Sequence, residues 1–412
     1  MATPPYVLLL LPRPGFPVSF SAIKAAYGPA LLSVLSKLSN RSRISQQISR
    51  LDIALSWSPR AGSSPTRASA FDEVQKILAM IYKLICIISE KESITIDCPN
   101  GVDCRLFLIN AAEAEGHHSP GQASVHPFDG PIVDLSTLAL SERRWDHVFA
   151  VESEEGESLV QSFLKLYDSR HGITCRPTIE RVIGGIAIVT TNRPASNLNS
   201  RETSACHYSV VVGGTFDHLH AGHKLLLTAT ALAVDPSSDS DTPIQRTVTI
   251  GITGEELLTN KKYAEVMESW KERQEKVADF LESIMVFSSP EKTSRHTQHV
   301  SNPGPNETFV RVKLGQDLTI NYTQISDPFG PTITDKDISA LVISAETRAG
   351  GQAVNDKRRE MEWPTLEVFE VDVLDPGELD EGADESQKQT FESKLSSTEI
   401  RRQRVEAARA RV

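Results

Sequence analysis

The stretch VVVGGTFDHLHAGHKLLL, Val210 to Leu227, crowds two glycines, a threonine and three histidines between an apolar run and a segment that reads as a helix. The valines read as the end of a strand, with Gly213 and Gly214 at its carboxyl edge, where open α/β sheets bind ligands. Glycine there lets the backbone approach a ligand that a side chain would obstruct. Thr215 adds a hydroxyl and an amide, and Gly222 permits a tight turn into the next helix, whose amino terminus favours phosphate. His220 and His223, three apart at the helix start, fall on one side of it. Two imidazoles, a hydroxyl and a helix end make a polyphosphate clamp. Such a clamp suits attack on the α-phosphate of a nucleotide, where charge develops on the phosphoryl oxygens. The competing reading, half of a metal site, lacks an acidic third ligand, so no protein-held metal is expected.

Other blocks carry groups of the same kind. TNKK follows the second strand of this half, so Lys261 can reach the same sheet edge, although a plain surface lysine would look alike. SSTEIR puts Ser396, Ser397 and Thr398 at a helix amino terminus with Glu399 in its first turn. Capping explains one of those hydroxyls. Three in a row also suit binding of a β- or γ-phosphate. GGQAVNDKR reads as a flexible turn at Gly350 and Gly351 followed by a helix carrying Asn355 and Arg358. By residue type alone Arg358 is a solvated charge.

These groups need a frame. From Tyr208 on, apolar runs without polar alternation (YSVVVGG, RTVTIGIT, ISALVISA, LEVFEVDVL) read as buried parallel strands. Helical segments lie between them: AGHKLLLTATALAV, SWKERQEKVADFLESI, a short one near GGQAVNDKRREM, and a terminal one from about Ser397. The expected fold is therefore α/β, a Rossmann-like doubly wound parallel sheet over residues 207–412. Residues 1–190 also alternate strands (YVLLLLP, RLDIALSWS, DCRLFLIN) with helices, one starting at Phe20 and one around Ile77 capped by Ser69 and Asp72, and form a second α/β domain. Between the two, residues 191–206 are polar and aperiodic and read as a flexible linker. The insertions at 288–307 and 375–389 have almost no apolar content and read as loops or disorder. Every phosphate-handling block lies after the linker, so residues from about 205 onward are expected to act alone.

With 412 residues, two cores are expected. The net charge of −11 argues against a general nucleic-acid binder, because phosphate neutralisation needs a basic face. The odd number of scattered cysteines, five, implies reduced thiols. YVLLLLP is short and runs into Pro12, and KILAMIYKLICIIS carries Lys83 in its middle, so neither reads as a signal or a membrane span. A cytoplasmic protein is expected. The first half holds no chemical constellation; the pair His117 and His118 reads as a solvated loop.

GGTFDHLHAGH resembles the HxGH motif of the nucleotidyltransferase superfamily. With GITGEELLTNKK, WKERQEKV, DPFGP, VISAETRAGGQAVNDKR and SKLSSTEIR it resembles pantetheine-phosphate adenylyltransferase of the archaeal and eukaryotic type, from about Tyr208 to Arg402. The resemblance implies adenylyl transfer from ATP to 4′-phosphopantetheine, giving dephospho-CoA and pyrophosphate in coenzyme A biosynthesis. It implies direct in-line attack without a covalent intermediate, and Mg2+ carried with ATP. It makes His223, Lys261 and Thr215 catalytic, with Thr215 and Lys261 also holding the acceptor. ATP would meet Gly213, Gly214, Thr215, Phe216, His220, His223, Arg358, Ser396, Ser397 and Thr398. Bacterial members usually carry threonine at the place of His220, so this chain follows the two-histidine version. Arg348 sits one place from the arginine of related eukaryotic sequences and has no assigned role. No GxxxxGK[ST] string occurs, so no fused dephospho-CoA kinase is expected. Two alternatives stand: a cytidylyltransferase acting on a phosphorylated alcohol, and an inactive scaffold of the same fold. The motif-free residues 1–190 leave room for an interaction role, with other coenzyme A pathway enzymes as partners.

Overall fold

The computed structural model describes residues 6–15, 18–58, 66–98, 100–110, 128, 130–186, 205–237, 243–287, 294–302, 304, 306, 308–374 and 396–409. The chain divides into two compact units: Met1–Ser63, Met80–Glu202 and Ser283–Ser289 in the first, and Ser64–Ala79, Thr203–Glu282 and Pro290–Val412 in the second.

The first unit is built on strands β1 (Tyr6–Leu11), β2 (Ser49–Trp57), β3 (Val102–Asn110), β4 (Ile132–Asp134), β5 (Trp145–Glu152) and β6 (Thr178–Ile183). They form one parallel sheet in the order β4-β3-β2-β1-β5-β6. β1 is central because Val7 to Leu11 are fully buried, which only a strand covered on both faces requires. Helix α1 (Phe20–Ser45) starts where Ser19 accepts a hydrogen bond from the Ala22 amide. Helix α2 (Arg67–Lys91) starts two residues before Ser69, so Ser69 and Asp72 lie inside it and do not cap it. The Ser69 hydroxyl instead donates back to the Thr66 carbonyl at 2.7 Å. Helices α3 (Leu135–Leu140) and α4 (Glu154–His171) complete the unit. Its core joins Leu8, Leu10, Phe107, Trp145 and Phe163 to Phe287, a residue from far along the chain.

The second unit has a seven-stranded sheet of β7 (Ser209–Gly214), β8 (Arg246–Thr253), β9 (Arg295–Ser301), β10 (Thr308–Leu314), β11 (Leu318–Ile325), β12 (Ala340–Ser344) and β13 (Glu367–Val371). The order is β13-β12-β7-β8-β11-β10-β9, with β10 antiparallel to both β11 and β9 and every other pairing parallel. The chain winds from β7 outward through β8, then returns to lay β12 on the other side of β7. The reversal makes the carboxyl end of β7 the topological switch point, where such sheets bind ligands. Helices α5 (Ala221–Leu232), α6 (Trp270–Met285), α7 (Arg348–Glu360) and α8 (Ser397–Arg409) accompany it.

A piece of the first half completes this unit. The Arg67 guanidinium donates to the Val234 carbonyl at 2.8 Å, just past the end of α5, and its amide donates to Asp235. Phe71 packs against Phe369 with ring centroids 4.7 Å apart. Residues 205–412 therefore do not make up the whole unit.

Three local expectations change. The insertion at 288–307 contains strand β9, whose side chains are mostly exposed and so left no apolar signal. Gly350 and Gly351 are helical, in α7; a side chain on Gly351 would meet Ile343 at 3.1 Å, so close packing replaces flexibility as the reason for glycine at that position, while one on Gly350 would meet nothing within 4 Å. Strands β10 and β11 pair buried residues (Val310 with Tyr322, Val312 with Ile320, Leu314 with Leu318) on one face and more polar, less buried ones on the other, an alternation that gives no unbroken apolar run in the sequence. Most of the linker at 191–206, the insertion at 375–389, and His117 and His118 lie outside the described residues. Among the described residues no helix is long and apolar enough to cross a membrane.

Candidate active site

At the carboxyl end of β7, Gly213 and Gly214 carry the chain into Phe216 and His218, which both take positive φ, 53° and 48°. The fully buried Phe216 ring folds back under Gly214, where a side chain would sit 2.9 Å from it. His220 is the residue before the first turn of α5 and leaves its side chain free of capping. Its ring stacks on that of His223, with centroids 3.8 Å apart and planes at 23°. Gly222 makes this possible: a side chain there would lie 3.2 Å from the His220 ring. The stack is bounded by Phe216, 5.4 Å from His223.

Burial sets the charge of the pair. Removal from water, together with the neighbouring imidazole, holds His220 well below the ordinary histidine range. Burial also lowers His223, to about 4, against the opposing pull of the Asp217 and Glu268 carboxylates. Both rings are thus neutral near pH 7, and the Nδ1 atom of each is buried without a hydrogen-bond partner. Two buried polar atoms without hydrogen-bond partners thus lie together at a glycine-edged switch point.

Below the imidazoles lies a charge network that sequence reasoning missed. Asp217, fully buried, pairs with Arg401 of α8 through Oδ2 at 2.5 Å and accepts the Glu268 amide through Oδ1 at 3.0 Å. His218 faces Glu268 Oε1 through Nδ1 at 2.8 Å and the Val266 carbonyl through Nε2 at 3.0 Å. Burial pushes Glu268 up, but hydrogen bonds from His218 and Lys276 outweigh it and bring its carboxyl to about 2. Asp217, His218 and Glu268 are close enough to share a cation, their ligand atoms lying within 4.8 Å of one another. Their oxygens are already taken by Arg401, Lys276 and backbone amides, and the set reads as internal bracing. The clue in the sequence was the aspartate of GGTFD and the arginine of SSTEIR.

The bracing brings separate blocks together. Arg401 also donates to the Lys262 carbonyl at 3.0 Å and to the Thr398 hydroxyl at 3.1 Å. It thereby fixes the turn that carries Lys261, itself exposed, against α8. Ser397 donates to the Asp217 carbonyl at 2.8 Å and lies 3.4 Å from His220 Nε2. Ser396 immediately precedes α8, its carbonyl accepting the Ile400 amide. Thr215 sits half-buried beside the glycines, its carbonyl held by Arg273 at 2.8 Å.

Arg358 departs from expectation. It is fully buried, and its five N–H groups meet five backbone carbonyls: Pro364, Thr332, Asp335, Lys336 and Ile338, at 2.6 to 3.2 Å. No donor is left for a phosphate. It braces the crossover into β12, and Asn355 does the same for Leu366 with a pair of backbone hydrogen bonds. Arg348 is exposed and pairs with Glu370.

Residues 211–403 match the family model described as cytidylyltransferase-like. The C-terminal half is a cytidylyltransferase-like domain. Residues 1–188 match a family described as a domain of unknown function. Among curated proteins the chain is similar to an uncharacterized protein of Schizosaccharomyces pombe, 35% identical over 191 residues, which are 46% of this chain and 46% of that protein. It is 34% identical to the phosphopantetheine adenylyltransferase of Saccharomyces cerevisiae over 46% of this chain and 47% of that one. The enzyme of that name from Pyrococcus abyssi is 28% identical over 165 residues, 40% of this chain and 78% of its own. The match thus spans about half the length of the first two relatives. The cytidylyltransferase-like domain contains every residue of the stacked-imidazole site, from Gly213 to Arg401.

Proposed function

We propose that the chain transfers the adenylyl group of ATP to 4′-phosphopantetheine, giving dephospho-CoA and pyrophosphate. The observation that carries this reading is the stacked, buried and neutral pair His220 and His223, each with an unpartnered nitrogen, at the switch point of a cytidylyltransferase-like domain. The names of the similar enzymes from Saccharomyces cerevisiae and Pyrococcus abyssi support the choice of substrates.

An oxygen of the acceptor phosphate attacks the α-phosphorus of ATP in line. The new P–O bond forms as the bond to the bridging oxygen breaks, and pyrophosphate leaves with that electron pair. A phosphate monoester is already an anion, so no base has to remove a proton. Catalysis rests on position and charge. His223 and Lys261 hold the α-phosphate as its extra oxygen arrives, and Thr215 orients the acceptor. His220, with Ser396, Ser397 and Thr398 at the start of α8, receives the departing phosphates. Gly213, Gly214 and Phe216 give the nucleotide a bare backbone edge. Mg2+ travels with ATP and neutralises its phosphates.

The test is direct. The purified full chain is mixed with ATP and 4′-phosphopantetheine, and dephospho-CoA is sought by mass alongside pyrophosphate. A product formed only with CTP and a phosphorylated alcohol would establish the cytidylyltransferase alternative. No transfer with either pair would leave an inactive scaffold and overturn the proposal.

A further inference from the structure

Helix α6 opens beside the site. Ser269 and Glu272 close its first turn with mutual hydrogen bonds, and the Trp270 indole donates to the Ile252 carbonyl at 3.3 Å, near the end of β8. This fixes Arg273, whose side chain is completely buried. Its Nε donates to the Glu268 carbonyl at 3.0 Å, and its Nη1 to the carbonyls of Thr215 at 2.8 Å and Thr253 at 2.9 Å. Its Nη2 is buried with no partner. Among the described residues no carboxylate lies within ion-pairing distance of it. Thr253 adds a stitch of its own, its hydroxyl donating to the Gly214 carbonyl at 3.2 Å.

A buried guanidinium whose hydrogen bonds all go to neutral carbonyls is costly, because carbonyl dipoles replace water poorly and the Asp217, Glu255 and Glu268 carboxylates act on it only from beyond ion-pairing distance. Hydrophobic packing alone would be served by leucine. The three carbonyls it grips are those of Thr215, Thr253 and Glu268, which end β7, end β8 and brace His218. We propose that Arg273 is a positioning residue of the transferase site, locking the Thr215 backbone so that its hydroxyl and amide face the acceptor phosphate. The bound dianion adds to the field of the Asp217, Glu255 and Glu268 carboxylates, which already act on the guanidinium from beyond ion-pairing distance. The inference rests on the adenylyl-transfer reading and deepens it by naming what aims the acceptor.

The test is a double-mutant cycle on the full chain: Arg273→Lys, Thr215→Val and the pair, with KM for each substrate, kcat and melting temperature. Lysine keeps the charge and loses the fork. Arg273→Lys should raise KM for 4′-phosphopantetheine about 10- to 100-fold, leave KM for ATP within about threefold, and lose no further activity when Thr215→Val is added. Losses that multiply, or that fall equally on both substrates in step with melting temperature, would overturn the inference while the parent enzyme remains active. An inactive parent chain would overturn the adenylyl-transfer reading itself. If Arg273→Lys does not fold, Arg273→Gln replaces it; failure of both to fold would make Arg273 a folding residue and reject the assignment.

Discussion

His223 lies at the centre of the proposed site, and its replacement is the sharpest residue-level prediction. His223→Ala should slow turnover by about a hundredfold to ten-thousandfold, about 3 to 5 kcal/mol of lost transition-state stabilisation, while ATP affinity falls much less. His220→Ala should cost less turnover, since Ser397 and α8 share its task. Steady-state kinetics beside calorimetric ATP binding would check both. Normal turnover with collapsed ATP binding would make His223 a ground-state ligand only. The buried imidazoles also set a pH dependence. In the unfolded chain each takes a proton near pH 6.5, while the folded His223 does so only near 4. Stability is therefore complete above about pH 6.5 and declines as pH falls toward 4, the unfolded state binding more protons throughout that window. Denaturant titrations from pH 8 to 4 should show this slope shrinking in a His220→Gln, His223→Gln double variant; an unchanged slope would refute buried neutral imidazoles. The histidines were legible because their spacing and glycine setting are local. Arg358 was not: a solvated arginine and one gripped by carbonyls of residues 332–338 and 364 have the same letter and the same neighbours in sequence. Asp217, Glu268, Arg273 and Arg401 escaped for a related reason, since each matters through partners 51 to 184 residues away.

Elements translate these residues into geometry, and two substitutions separate site from scaffold. Gly222→Ala puts a methyl group 3.2 Å from the His220 ring at the start of α5. Alanine favours the helix intrinsically, so the melting temperature should hold or rise slightly while turnover drops about tenfold as the stack is pried apart. A variant both stable and fully active would show that the stack is incidental. Arg358→Met should do the opposite. Five buried carbonyls lose their partner, so stability should fall by about 3 to 5 kcal/mol, with KM for ATP nearly unchanged in the folded fraction. A selective loss of ATP binding would restore the phosphate role. At this scale the strands β7, β8, β12 and β13 were readable as apolar runs, and α5 and α6 from their period. β9, β10 and β11 were not, because strands with one polar face and an exposed edge lack the unbroken hydrophobicity that marked the others.

At the scale of the molecule, a fragment of residues 205–412 should be less soluble and more readily cleaved by protease than the same span within the full chain. It lacks Arg67, which donates to carbonyls at the end of α5, and Phe71, which covers Phe369. Limited proteolysis and light scattering would decide; a stable, monodisperse fragment would show that residues 64–79 are dispensable. The sequence separated two halves by composition at the linker, yet no local signal betrays that 64–79 fold with the second half and 283–289 with the first. This interleaving bears on how the chain comes off the ribosome. The first unit leaves a gap in its core until Phe287 has emerged, and the opening turns of α2 meet their partners only after α5 and then β13 have been made. Domain-by-domain folding, the usual route for chains of this size, is thus impeded, because neither unit is contiguous in sequence. Nascent chains halted at residue 205 should remain protease-sensitive along their whole length, and protection of both halves should arrive together, late in synthesis.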